Sequence, residues 1–331
     1  MPRTEFISTG MYVPERVVTN DELTQWMDTS DEWIRTRSGI RERHWVRDGQ
    51  VTSDLALEAT KMALERAGMQ AGDLDAIIFA TLSPEYMFPG SGVYLQRKLG
   101  VSTIPCLDVR NQCTGFLYGL SVADAWVKTA QYKRVLLVGA EVQSVGIDLS
   151  TRGRDLAVLF GDGAGAVILG PTDDPGRGVL STHIYADGSQ ADLLWCDLGG
   201  AAHSPRMAPE YLEQGLQWPI MQGREVFRSA TTRMPEAVRH ALEVNGLTVE
   251  DIKVLIPHQA NLRISEMVQK QLGLRDDQVF NNIQKYGNTT AATIPMALHE
   301  CLVAGKIGRG DLVMFAAFGS GFTWGSAAVK W

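Results

Sequence analysis

The chain alternates between short, apolar, β-branched runs and longer stretches with apolar residues at helical spacing. That alternation predicts an α/β protein. Strands are predicted at residues 75–82, 104–109, 134–140, 156–160, 166–169, 179–185, 253–256 and 312–317. Helices are predicted at 54–67, 92–99, 115–129, 225–244, 262–272 and 291–304. Thr52, Ser53 and Asp54 offer N-cap side chains to the first of these helices. Gly68 and Gly246 stand where glycine C-caps belong.

The pattern also repeats. Ala63-Leu64-Glu65-Arg66-Ala67-Gly68 resembles Ala241-Leu242-Glu243-Val244-Asn245-Gly246, and each is followed by an acidic turn and a strand. Leu95-Gln96-Arg97-Lys98-Leu99-Gly100 resembles Val268-Gln269-Lys270-Gln271-Leu272-Gly273. Asn111-Gln112-Cys113-Thr114-Gly115 faces Tyr286-Gly287-Asn288-Thr289-Thr290, and each opens a helix. Apolar strands ending at Glu141 and Ser320 complete the series. Four collinear matches at a nearly constant offset predict a duplicated unit, residues 1–172 and 173–331, packed pseudo-symmetrically. Equivalent strand ends would then converge on one shared site, with Asn288 opposite Cys113.

Composition narrows the classes. The chain has 331 residues, 31 Lys plus Arg against 38 Asp plus Glu, and a formal net charge of −7. A general nucleic-acid binder would need a basic face, so that class is disfavoured. No apolar run is long enough to span a membrane. The first residues lack the apolar core of a secretion signal, so a cytoplasmic location is expected. The four cysteines, Cys106, Cys113, Cys196 and Cys301, are too scattered for a disulfide scaffold. No HxxxH, HExxH or CxxC spacing supports a metal site.

Three residues are candidates for the chemistry, although a lone cysteine such as Cys113 is more often a small buried apolar residue. Cys113 lies between an apolar segment and a helix, where the helix dipole favours the nucleophilic thiolate. His258 follows a strand directly, the place where α/β proteins gather functional groups, and suits proton transfer or an electrophilic role. Asn288 precedes an alanine-rich helix. Its plainest role is a cap, but its neutral amide can also donate to a developing oxyanion. The run Phe160-Gly161-Asp162-Gly163-Ala164-Gly165-Ala166 follows a strand but opens no helix, so it forms no pyrophosphate cradle and reads as a glycine-rich turn.

Six stretches together resemble one family. They are Ser30–Ile40 around Trp33 and Arg37; Cys113-Thr114-Gly115-Phe116; 159–165; 257–264 around His258; Tyr286-Gly287-Asn288-Thr289; and 317–325. With them the chain resembles the β-ketoacyl-acyl-carrier-protein synthase III family of the thiolase-like superfamily, over nearly its whole length. The resemblance implies a five-layered αβαβα fold of two duplicated, pseudo-symmetric halves, working as a homodimer. It implies decarboxylative Claisen condensation of an acyl-CoA with malonyl-acyl-carrier protein, with no cofactor beyond the coenzyme A thioester. Cys113 would be the nucleophile. The backbone N–H groups of Cys113 and Ser320 would form the oxyanion hole. His258 and Asn288 would hold the malonyl thioester carbonyl and stabilise the enolate.

The same resemblance implies that Trp33 and Arg152 sandwich the CoA adenine and that Arg37 meets its phosphates. Phe227 and Asn261 would line the pantetheine tunnel, with Phe318 also in the CoA site. Phe88 would reach the acyl pocket of the dimer partner. Arg228, Arg263 and Lys270 would dock the acidic carrier protein. Ser320 departs from the family's usual glycine, and Gln112 and Thr114 flank the nucleophile where small residues are common. Gly90 and Gly92 would leave room in the acyl pocket, and 192–218 would cover the acyl channel. A medium or longer primer chain is therefore expected. Three other readings fit parts of the pattern. One is a secondary-metabolism relative that transfers other acyl groups. Another is a Cys–His–Asn hydrolase, matching the papain-like order. The last is a non-catalytic acyl-CoA-binding protein.

Overall fold

A computed structural model describes residues 2–331. The first part of the chain forms β1 (Arg3–Tyr12), β2 (Arg16–Thr19), α1 (Asn20–Leu23), α2 (Asp31–Ser38), β3 (Glu42–Trp45), α3 (Thr52–Ala67), β4 (Ala76–Ala80), α4 (Ser91–Leu99), β5 (Cys106–Val109), α5 (Gly115–Lys128), β6 (Val135–Glu141), α6 (Arg154–Ala157) and β7 (Gly163–Thr172). The second forms β8 (Gly178–Ala186), β9 (Leu194–Trp195), α7 (Pro209–Glu213), β10 (Ile220–Met221), α8 (Gly223–Val244), β11 (Ile252–Pro257), α9 (Leu262–Leu272), α10 (Ile283–Tyr286), α11 (Thr293–Val303), β12 (Leu312–Gly319) and β13 (Thr323–Lys330).

Two sheets share one plan. The first runs β1-β7-β6-β4-β5 and the second runs β8-β13-β12-β11. In each, the inner strands are parallel (β6 with β4, β12 with β11) and the outer pair is antiparallel. The fifth position of the second sheet survives as a single parallel bridge, Leu255 to Val279.

The apolar runs are continuous because both faces of each sheet are covered. Successive side chains of a strand point to opposite faces. Ile77 and Phe79 therefore pack outward on Leu55, Ala59 and Ala63 of α3. Ala76 and Ile78 point inward to Phe116, Leu117 and Leu120 of α5. On β12, Met314, Ala316 and Phe318 face Met234 and Val238 of α8, while Val313 and Phe315 face the centre. Helices α5 and α11 thus lie buried between the two sheets, giving helix, sheet, helix, sheet, helix: the five-layered thiolase-like fold.

Several predicted elements shift. Residues 156–160 are not a strand. Arg154–Ala157 is one helical turn, and Phe160 makes only a bridge to Asn288. Short apolar runs do not distinguish strand from buried helix, and Ala157 and Val158 bury against Ile34 and Trp45. The glycine-rich stretch is only partly a turn, because Gly163 and Gly165 lie inside β7. A Cβ on Gly165 would stand 2.7 Å from the backbone nitrogen of Met296, so glycine admits α11 there. Helix α3 is capped differently too. Val51 is its N-cap residue, and the Asp54 carboxylate accepts the Val51 N–H at 3.0 Å.

The duplication holds with a corrected register. Gln112 (φ 43°) and Thr290 (φ 49°) each begin a 3-10 turn that opens a central helix. Left-handed backbone is costly for such residues and marks the two as equivalent. The spacing between them equals that between Ala63 and Ala241. Cys113 therefore matches Ala291, and Asn288 lies two residues before the equivalent turn, not opposite the cysteine.

Candidate active site

The two turns pack on each other at the centre of the molecule. Beside them is a cavity of about 110 Å³. Cys113, His258 and Asn288 all line it, each from a different loop. Phe227, Asn261 and Phe318 line it as well, and Leu194, Met221, Val226, Met234 and Ile264 complete an apolar wall.

Cys113 sits in the 3-10 turn Gln112–Thr114. The turn is tied to β13 by Thr114 Oγ1 and Thr323 Oγ1 at 2.7 Å. Behind it, β12 arrives so closely that a Cβ on Gly319 would lie 2.9 Å from Cys113 Cβ. Gly319→Ala is therefore expected to displace the thiol and cut the rate of Cys113 alkylation at least about tenfold, since misplacement by an ångström can cost a hundredfold. Alkylation kinetics on protein with an unchanged unfolding midpoint check this. An alanine variant alkylated at the wild-type rate would refute the steric argument.

The expected thiolate is not the resting form. Burial, followed by the Glu141 charge, pushes the Cys113 thiol up to about 12. A helix dipole contributes roughly 0.3–1 kcal/mol at such a position, less than one pKa unit. Desolvation wins.

His258 follows β11, its N–H donating to Ala316 O at 2.8 Å. Burial lowers its pKa to about 3, so the imidazole is neutral at physiological pH. Its Nδ1 lies 2.6 Å from Thr293 Oγ1, and its Nε2 is buried without a partner. Asn288 is held by its backbone, donating to Leu159 O at 2.7 Å and accepting from Gly161 N at 3.1 Å. Its Oδ1 accepts the Thr290 N–H at 2.9 Å. That bond orients the amide and leaves its NH₂ as the group on offer.

Glu141 carries no sequence signal of a role. It ends β6, is fully buried, and accepts from Thr81, Leu82, Ser83, Gln143 and the Ala291 N–H. It thereby ties the cysteine-bearing part of the chain to the turn that opens α11. Burial outweighs these donors and raises its carboxyl from 4.5 to about 7. The folded state then holds a proton that the unfolded chain releases, so this group lowers stability as pH rises from 4.5 to 7. Glu141→Gln removes that titration. The gap between variant and wild-type urea midpoints is expected to move in the variant's favour from pH 5 to pH 7. A pH-independent gap would contradict it.

Trp33, Arg37 and Arg152 lie outside this cavity. Trp33 is stacked by Arg37 at 4.4 Å and by Arg154 at 4.5 Å. Arg152 instead pairs with Asp148 at 2.7 Å, in a second cavity of about 320 Å³ that shares Met221 with the first. Sequence patterns miss Arg154 because its closeness to Trp33 exists only in three dimensions. Asn261 lines the cavity with both polar atoms engaged, Oδ1 capping α9 at Arg263 N and Nδ2 donating to Arg37 O. The Ser320 hydroxyl donates to Leu194 O, while Gly319 lines the cavity.

Phe88 is 81% exposed on the surface. The space beside Gly90 is taken by the Asp108 carboxylate, which any Cβ there would overlap, and Gly92 N–H donates to the same group. Those glycines admit the Asp108 carboxylate. Of residues 192–218, Leu194 reaches the cavity, whereas Met207 and Leu212 are exposed. Arg228, Arg263 and Lys270 are exposed on the packed pair α8 and α9, with Arg263 over the Phe227 ring at 5.9 Å. Among the described residues no group of three potential metal ligands occurs, and no helix is long and apolar enough to cross a membrane.

Comparison with known proteins agrees with this geometry. Residues 107–188 match the family described as 3-Oxoacyl-[acyl-carrier-protein (ACP)] synthase III, and residues 242–331 match its C-terminal part. The chain is 45% identical to a beta-ketoacyl-[acyl-carrier-protein] synthase III of Xanthomonas campestris over 98% of its length and 97% of that protein. It superposes on the crystal structure of 3-oxoacyl-[acyl-carrier-protein] synthase III from Aquifex aeolicus with a TM-score of 0.91 at 40% identity, covering 99% and 100% of the two chains. It is also similar to the priming β-ketosynthase of the R1128 polyketide pathway, with a TM-score of 0.90, 32% identity, and coverage of 99% and 96%. The chain belongs to the 3-oxoacyl-[acyl-carrier-protein] synthase III family.

Proposed function

We propose that this enzyme starts fatty-acid synthesis by condensing an acyl-CoA primer with malonyl-acyl-carrier protein, through an acyl-Cys113 intermediate. The observation that carries it is the convergence of Cys113, His258 and Asn288 on one cavity with an apolar wall. In the first half-reaction the Cys113 sulfur attacks the acyl-CoA carbonyl. The C–S bond to CoA breaks, and the thiol proton leaves with CoA. Backbone N–H groups of Cys113 and Ser320 receive the transient oxyanion. In the second, malonyl thioester loses CO₂, and its carbonyl oxygen, now enolate, is held by His258 and Asn288. The enolate carbon attacks the acyl-Cys113 carbonyl, the C–S bond to the cysteine breaks, and the departing sulfur takes a proton from solvent to restore the thiol. The covalent intermediate splits one hard step into two.

Around the centre, Trp33, Arg37 and Arg154 offer ring and guanidinium faces suited to an adenine nucleotide. Exposed Arg228, Arg263 and Lys270 suit an acidic carrier protein. The edge of β5 and the exposed Tyr86, Met87 and Phe88 suit pairing with a second copy, as a homodimer. No cofactor beyond the CoA thioester is required, and the expected location is the cytoplasm.

Intact-protein mass spectrometry after mixing with acetyl-, octanoyl- and dodecanoyl-CoA tests this reading. One acyl mass on Cys113, discharged with CO₂ release when malonyl-acyl-carrier protein is added, is the expected result. Absence of any adduct refutes it, and acyl transfer without CO₂ release favours the transferase alternative. A clear acetyl preference would overturn the expectation of a longer primer.

A further inference from the structure

Thr293 opens α11 and is buried. Its hydroxyl lies 2.6 Å from His258 Nδ1 and 3.0 Å from Thr290 O. It has one hydrogen to give. The hydroxyl also stands in donor geometry to Thr290 O, but that oxygen keeps the Thr293 backbone N–H as its donor when the hydroxyl hydrogen turns to the ring. The 2.6 Å contact is also shorter than the 2.9–3.0 Å usual when an N–H donates to oxygen, and fits a hydroxyl donor better. On the other side of the ring, Nε2 is buried, unpartnered, and belongs to a residue that lines the cavity with Asn288.

We infer that Thr293 is a positioning residue: its hydroxyl donates to Nδ1 and so holds His258 as the Nε2–H tautomer, which presents a hydrogen-bond donor to the cavity. The inference rests on the condensing reading above and deepens it. A neutral ring carries one hydrogen, and which nitrogen holds it is set by the partner of the other. With the hydrogen on Nε2, the ring can donate to the malonyl thioester oxygen as charge grows there. With the hydrogen on Nδ1, a lone pair would face that oxygen and oppose the enolate. No proton is transferred to or from His258 in this role. The hydrogen remains on Nε2 throughout decarboxylation, and the electron pair from the breaking C–CO₂ bond passes to the enolate.

The test has a spectroscopic and a kinetic arm. In enzyme labelled with ¹⁵N-histidine, the His258 signals, assigned by their loss in His258→Ala, are expected to show protonated Nε2 and unprotonated Nδ1 at pH 7. Thr293→Val keeps the β-branched shape and removes the hydroxyl. It is expected to give a mixed tautomer signature and to slow CO₂ release from malonyl-acyl-carrier protein roughly tenfold to hundredfold, the scale of one misplaced oxyanion donor. Acylation of Cys113 by acyl-CoA should stay within about twofold, and Thr293→Ser should restore both tautomer and CO₂ release. Protonated Nδ1 in the wild-type enzyme overturns the inference, and so does wild-type CO₂ release from a folded Thr293→Val protein. The tautomer reading needs only native wild-type protein, so it stands or falls even if the valine variant does not fold. If wild-type enzyme never acquires an acyl group, it is the condensing reading that has failed, and the tautomer result remains separately readable.

Discussion

Replacing Cys113 with alanine is expected to abolish both acylation and condensation, by on the order of 10⁴-fold or more, the scale seen when a covalent nucleophile is removed. The wild-type pH dependence makes a sharper demand. With burial pushing the thiol well up, the thiolate is a small minority at pH 7. Acylation of Cys113, measured in a single turnover, should therefore climb with pH through 7 to 10 without levelling off. Were the helix dipole dominant, the rate would reach a plateau near pH 8. Glu141 bears on the same curve. Its buried charge disfavours the thiolate, and it ionises around pH 7. Neutralising it by Glu141→Gln should raise the acylation rate above pH 7 more than below it. A plateau in the wild-type profile by pH 8 would show that the sulfur feels far less desolvation than its burial implies.

The sequence exposed the strong, local signals and hid those that depend on packing. Helix α9 carries its own start and stop, with Asn261 capping one end and Gly273 at φ 72° closing the other, and its predicted span of 262–272 is unchanged. Strand β1 escapes a sequence reading because it buries Thr4 and Thr9, polar residues whose burial follows from sheet and helix neighbours far along the chain. Strand β13 escapes it for a related reason. Its Ser326 is buried by donating to Ala237 O, a bond no local pattern announces. Cys113, His258 and Asn288 are legible because each follows a recognisable stretch at the end of a strand or the start of a helix. Their partners are not. Thr293, Glu141 and Arg154 act on residues dozens to more than a hundred positions away. The repeat register fails for a similar reason, since the defining feature of the turns is a backbone angle at Gln112 and Thr290, not a shared residue type.

Substitutions at His258 and Asn288 should separate the two half-reactions. His258→Ala is expected to leave single-turnover acylation of Cys113 near wild type while cutting condensation by roughly 10²–10³-fold, the cost of one oxyanion donor. A sunken pKa of about 3 argues the same way, since a ring that weakly basic is a poor acceptor for the thiol proton. Asn288 gives the cleaner experiment. Its Oδ1 is pinned by the Thr290 N–H, so Asn288→Asp keeps the acceptor that shapes the turn and removes only the NH₂ donors. It also sets a carboxylate against the developing enolate, where like charges repel. Condensation in Asn288→Asp should thus fall further than in Asn288→Ala, the reverse of what a purely structural role for the turn would give. The comparison reads charge directly, because the aspartate is the better structural mimic. Equal loss of acylation and condensation in any of these variants would mean that the two polar residues serve the cysteine, and the division of labour between the half-reactions would have to be redrawn.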